Sequence, residues 1–422
     1  MCRPRRFGSF ARVAALAVLV AACSPARSTS SPGASPTLSQ SSTVAASVAP
    51  TMATTPTPSP SLVPPTPAAD SACPSWSTDT APAHVFPTVA IPAGADFCQA
   101  IGGSFCNPCI NSIANDGPTV AMATQSGLNV WTLWLGDIRT GSIKPVYTAP
   151  KSADHWTEIG RPRLAGGHLL WMDWSYPQND GVMTSTSESQ SLEAMDLATG
   201  KISVLSTTAR LLDFDGRRVA LLSYPTPGHE QIELRDLAGN SIARVPISRD
   251  LMDFAFVRDG FLYLTAAALD LEATGPLILY HWTKAGGSRE IGRDVTGVSA
   301  QGDLAAWVDE ISEPDHNAAH LHAAAAPFTS ARQISHSGAQ HVDRFSCGSG
   351  TVAWFEGENE AIGDDLLAVW RPGWSTPVQV ATTSGLEDLS TGGGWLTWTE
   401  YVGVASSDGQ RVHGLPISVL AP

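Results

Sequence analysis

Basic residues are scarce in this chain: 25 Lys and Arg stand against 39 Asp and Glu, for a formal charge of −14. That balance argues against nucleic acid and anionic headgroups as partners of a folded domain, since both demand clustered cations. Long apolar runs are missing as well. The stretch from Val13 to Ala22 is too short to cross a bilayer as a helix. The marks of several common chemistries are also absent: there is no G-x-S-x-G elbow, H-E-x-x-H helix, phosphate loop, dinucleotide fingerprint or D-x-D-x-D-G calcium loop. A carboxylate pair working as glycosidase acid and base leaves no local motif, so that chemistry stays open.

Arg3, Arg5, Arg6 and Arg12 precede the short apolar run, the pattern of an export signal over residues 1–22. The run ends Val20-Ala21-Ala22-Cys23, which resembles the lipobox of bacterial lipoproteins. The resemblance implies diacylglyceryl transfer to Cys23, cleavage before it, and an extracytoplasmic protein held to the cell membrane or outer membrane by its lipid. Ser24 is not an inner-membrane retention aspartate, so the outer membrane is the expected address in a two-membrane cell. Residues 24–69 hold no Asp or Glu and a single basic residue, Arg27, among Ser, Thr, Pro and Ala. Such a segment cannot bury enough apolar surface to offset chain entropy. Residues 23–69 are therefore expected to form a disordered, lipidated tether spanning about 35–40 Å as a coil.

What the rest of the chain does contain is a repeat. Seven copies of a glycine turn followed by an apolar strand begin at Gly117, Gly167, Gly216, Gly260, Gly302, Gly350 and Gly394, in steps of 42 to 50 residues. That period matches one four-stranded propeller blade. The third copy parses as strands Ala209 to Phe214, Arg217 to Ser223, Gln231 to Asp236 and Ser241 to Ile247, with a Leu237-Ala238-Gly239-Asn240 hairpin. An all-β, seven-bladed β-propeller over residues 109–422 is predicted, with six or eight blades as alternatives. The last copy parses as a second strand from Gly394 to Glu400 and a third from Val412 to Leu420, with no outer strand. An N-terminal strand at His84 to Ile91 is the expected replacement, closing the ring from within a Cys-bearing lead-in segment at 70–108.

The second-strand phrase Val352-Ala353-Trp354 and the hairpin Asp196-Leu197-Ala198-Thr199-Gly200 resemble those of TolB-like bacterial propellers. This resemblance covers roughly residues 84–422. It implies a propeller in the cell envelope acting through protein partners, although TolB has six blades where this chain has seven repeats.

Cys73, Cys98, Cys106 and Cys109 cluster ahead of the first repeat and, in an oxidising compartment, are candidates for one or two disulfides. Cys347 is the odd one out, expected in a strand turn of the sixth repeat. Cys106 and Cys109 also have C-x-x-C spacing, but no second pair or βαβ pattern accompanies them.

Four second strands end on Trp, one residue, then an acid: Asp173, Asp309, Glu356 and Glu400. In a propeller these ends share a face, so the acids read either as a carboxylate ring for a basic partner or Ca²⁺, or as solvated charges. His320 and His322 stand two apart and share one side of a strand, a spacing suited to Zn²⁺ or Cu²⁺ together with His316 or Asp315; a solvent-facing strand explains the pair equally. The expected function is a membrane-tethered, non-catalytic module binding an envelope protein, peptide or polysaccharide. The alternative is a surface hydrolase or lyase working at the channel mouth.

Overall fold

A computed structural model describes residues 109–420, apart from 127–129, 151–154, 180–181, 184–188, 227–228, 248–249, 267–276, 313–316, 337–338, 340, 358–364, 384–385 and 402–409. The export signal, Cys23, the tether, the expected closing strand at 84–91, Cys73, Cys98, Cys106 and His316 lie outside the described residues.

Each glycine phrase becomes the turn between the first and second strands of a sheet, because positive φ is open to glycine at little steric cost. Gly260 is different: its φ is not positive, but a Cβ there would lie 1.9 Å from the Trp282 carbonyl oxygen. Seven antiparallel sheets follow one another along the chain. Blade 1, for example, comprises Cys109–Asp116, Thr119–Ser126, Val130–Asp137 and Ser142–Thr148 in that spatial order. In blade 3 the expected outer strand, Ser241–Ile247, is observed with those bounds, and the second strand, Arg218–Thr226, runs three residues further than predicted. Blade 2 departs from the pattern. Its first strand is split into His155–Ile159 and Arg163–Ala165, both paired with the long strand His168–Asn179, which also pairs with the short strand Val182–Met183.

The second strands are apolar on both sides, as they must be when each sheet is covered by two neighbours. In blade 6, all of Thr351–Gly357 is buried. One side of each sheet packs on the blade before it and the other on the blade after. Ala306 and Val308 join a core with Trp354, whereas Ala305 and Trp307 join one with Leu262 and Leu264. Seven such cores occur among the described residues, and the seventh joins Ile110, Ile113 and Met122 of blade 1 to Val412 of blade 7. The ring is thus complete through its apolar contacts.

A second device locks it. In six blades the first strand carries one extra residue, a bulge, at Asn111, Leu212, Met252, Thr296, Asp343 and Glu387. Where an aspartate follows the bulge, its carboxylate accepts a backbone N–H from the next blade: Asp213 from Phe256 at 3.3 Å, Asp253 from Val298 at 2.9 Å, and Asp388 from Ile113 at 2.9 Å. A row of hydroxyls repeats the arrangement, with Ser299 accepting from Cys347, Ser346 from Thr391 and Ser390 from Asn115. The Asp388 and Ser390 bonds join blade 7 to blade 1, reinforced by the Asn115 amide, which donates to the Gly392 and Trp395 carbonyls.

Blade 7 has three strands among the described residues: Leu386–Gly392, Trp395–Tyr401 and Gln410–Pro416. Its third strand begins and ends earlier than predicted, and Ile417–Val419 form a 3-10 turn instead of continuing it. Cys347 also differs from expectation. It lies within the first strand of blade 6, His341–Gly348, and not in a turn; among the described residues it is the free cysteine, and it is buried. Cys109 opens the first strand of blade 1.

Candidate functional site

First and second strands are joined by tight turns on one face of the ring. The second-to-third connections leave from the other face; those of blades 4, 6 and 7 are longer, spanning 267–276, 358–364 and 402–409, while those of blades 1, 3 and 5 span two to four residues. The bulges sit at that second face, where the first strands begin. The four Trp-x-acid carboxylates are there too, and at equivalent register. Asp309 pairs with Val295, Glu356 with Val342 and Glu400 with Leu386, each immediately before a bulge, while Asp173 pairs with Ile159 just before the break in blade 2.

The side chains of these acids are engaged within the fold. Asp173 accepts a hydrogen bond from the Tyr147 hydroxyl. Burial pushes its carboxyl above the usual range, an effect the tyrosine opposes. Glu356 is 4% exposed and accepts both the Trp354 indole N–H at 2.8 Å and the His336 backbone N–H at 3.1 Å. Glu400 Oε1 lies 2.9 Å from His413 Nε2, and the His413 ring stacks on Trp398. Asp309 Oδ2 accepts from His322 Nε2 at 2.9 Å, and its Oδ1 is 3.6 Å from His320 Nδ1. These are acids of one register held by partners on their own or adjoining blades.

The two histidines do share a strand side, on Asn317–Ala325, and they turn towards Asp309 on the neighbouring strand and not to open solvent. Asp309, His320 and His322 each offer one atom, and these lie within 4.8 Å of one another. Among the described residues this is the one group of three such side chains so placed.

Nearer the axis lies a charged group that the glycine and Trp-x-acid patterns do not reveal. Arg163 donates to Asp213 at 3.1 Å and Arg161 to Asp388 at 3.1 Å. Burial pushes the Asp213 carboxyl up, and the Arg163 guanidinium opposes this; burial likewise raises Asp253, against the N–H groups of Val298 and Phe254. A signal for the three acids does exist in the sequence: Leu211-Leu-Asp213-Phe, Leu251-Met-Asp253-Phe and Leu386-Glu-Asp388-Leu share the phrase Leu-x-Asp-apolar. An acid inside an otherwise apolar inner strand is costly unless it is bonded. Here each one is bonded across a blade boundary.

Comparison with solved structures follows the same outline. The propeller domain of the Trilobed protease from Pyrococcus furiosus, described as having an open velcro topology, superposes with a TM-score of 0.54 at 12% identity, over 72% of this chain and 94% of that domain. The chain is a seven-bladed β-propeller. The uncomplexed acylaminoacyl peptidase of Pyrococcus horikoshii gives a TM-score of 0.53 at 12% identity, over 74% of this chain and 52% of that enzyme. This chain therefore spans about half that peptidase's length, and at such identity the likeness is one of fold. No family model matches the sequence, and no curated protein matches it. Among the described residues no helix is long and apolar enough to cross a membrane.

Proposed function

We propose that the chain is a lipid-anchored, extracytoplasmic binding module of TolB-like character, which engages an envelope protein or peptide on the face bearing the longer connections. The contrast between the two faces carries this reading. On the tight-turn side the turns clasp one another. Gly166 N–H donates to Asp116, Ser349 N–H to Gln301, Gly394 N–H to Ser349 and Gly117 N–H to the Gly392 carbonyl. Polar groups committed to a neighbouring turn are poor recognition elements, whereas variable connections on a rigid scaffold are the usual place for them.

Glu356 acts as an internal fastener for Trp354 and the segment at His336, so its neutralisation tests stability before it tests binding. The exposed groups at the same level, such as Asp343 at 57% and the neighbouring Thr296, are better reporters. A photo-crosslinking amino acid is placed at Asp343 or Thr296 on one face and at Thr199 or Asn240 on the other, in the full chain expressed in its own envelope. Discrete adducts from the first pair only are expected. Equal adducts from both pairs, or adducts from the tight-turn pair alone, would overturn the assignment of the face.

A further inference from the structure

Blades 5 and 7 contain the same local arrangement with one difference. In each, the second strand ends on Trp-x-acid and a histidine on the third strand lies directly opposite the tryptophan: His322 opposite Trp307, and His413 opposite Trp398. In each, that histidine stacks on the indole and sits 2.9 Å from the acid. Of the two contacts only the blade 5 one is a hydrogen bond, between His322 and Asp309; neither ring nitrogen of His413 makes one. Opposite the acid itself, blade 7 has Arg411 and blade 5 has a second histidine, His320.

We propose that Asp309, His320 and His322 form a binding site for a divalent transition-metal ion of the Zn²⁺ class. Two imidazoles and a carboxylate suit such an ion, with nitrogen and oxygen bonds of about 2.0–2.2 Å. Ligand atoms around a tetrahedral ion with those bonds stand about 3.3–3.6 Å apart. His322 Nε2 lies 2.9 Å from Oδ2 and His320 Nδ1 3.6 Å from Oδ1, and one ligand atom from each of the three side chains lies within 4.8 Å of the others, close enough to converge on one ion. Asp309 Oδ1 is buried and makes no hydrogen bond, so one strong acceptor of the group is unused by the protein. An unmet carboxylate oxygen is costly in such a setting, and coordination meets it.

The scaffold supports the site. Two ladder-paired strands, Leu304–Ser312 and Asn317–Ala325, supply all three side chains, and Trp307 lies against His322 with ring planes 24° apart. Trp307 packs in the core shared with blade 4, so the cluster faces the boundary between blades 4 and 5. Each of the three side chains keeps some exposure, between 18% and 24%. Solvent can therefore deliver the ion and complete its coordination, giving three protein ligands and a water. This inference does not depend on what the long-connection face recognises.

The test uses the full chain, stripped with chelator and titrated with Zn²⁺ by calorimetry, with Co²⁺ as a spectroscopic probe. Wild type is expected to bind one tight equivalent of Zn²⁺ and to give Co²⁺ visible bands more intense than those of the aqueous ion. His320→Gln and Asp309→Asn should each weaken that equivalent at least about tenfold, the range seen when a ligand or its support is lost. His413→Gln, the matched change in blade 7, should leave it intact. Absence of a tight equivalent, absence of enhanced Co²⁺ bands in wild type, or equal binding by wild type and His320→Gln would each overturn the proposal. The Co²⁺ arm needs no variant, so it holds even if a substitution impairs folding.

Discussion

Replacing Asp388 by alanine should loosen the ring at the junction of its first and last blades. The carboxylate is 8% exposed; one oxygen takes the Ile113 N–H at 2.9 Å and the other an Arg161 nitrogen at 3.1 Å. Leaving a buried N–H without an acceptor costs about 1–3 kcal/mol. Arg161 is 44% exposed, so water takes over much of its role and the ion pair contributes at most about 1 kcal/mol. Together these give a loss of about 1–4 kcal/mol, which for a domain of this size corresponds to a fall in Tm of about 2–6 °C. Asp388→Asn keeps an acceptor for the N–H and should lose about 1 kcal/mol. Glu290→Ala, which removes an exposed surface pair with Arg293, should leave Tm unchanged. Thermal unfolding at one fixed scan rate, followed by circular dichroism, measures all three. An Asp388→Ala protein melting with wild type would refute the claim that this carboxylate fastens blade 1 to blade 7.

Asp253 supplies a pH signature. Burial raises its folded pKa above the ordinary value of 3.8, so the native state favours the neutral form. The stability this contributes is fully present below the unfolded pKa and is lost as pH rises through the raised folded value. Urea titrations from pH 4 to 7 should therefore show a shallower decline with rising pH in Asp253→Asn than in wild type; parallel profiles would contradict it. Burial also pushes the Cys347 thiol up to about 12, so iodoacetamide should label it in denatured protein and leave it unlabelled in native protein, as read by peptide mass spectrometry. Cys23→Ser should move the protein from the membrane fraction to the soluble extracytoplasmic fraction, and retention in the membrane would count against the lipid anchor.

The architecture was legible because it repeats: a glycine turn, at positive φ in six of its seven copies, followed by a strand apolar on both sides, leaves few alternatives once it recurs seven times. The Trp-x-acid positions were legible for the same reason, since strand-end registers are equivalent in every blade. Their partners were not. Tyr147 reaches Asp173 from the preceding blade, and the His336 backbone reaches Glu356 from outside any ladder. Spacing along one strand carries no record of such contacts. His320 and His322 were found by their two-residue spacing, but Asp309 joined them through cross-strand register, which depends on the length of the connection between the strands. The inner-strand aspartates share a Leu-x-Asp-apolar phrase, but their role across the blade boundary was not legible, because the single bulge residue that turns them towards the next blade has no strong sequence mark of its own.

Amide hydrogen exchange on the native protein tests the closed ring most directly. Ile113, Phe256 and Val298 each donate their N–H to an aspartate of the preceding blade, the first of them across the junction of blades 7 and 1. If blade 1 is locked to blade 7 as the other blades are locked to one another, the three amides should be protected to a similar degree, near the limit set by global unfolding. Exchange at Ile113 orders of magnitude faster than at Phe256 and Val298 would show that the ring is open at that junction.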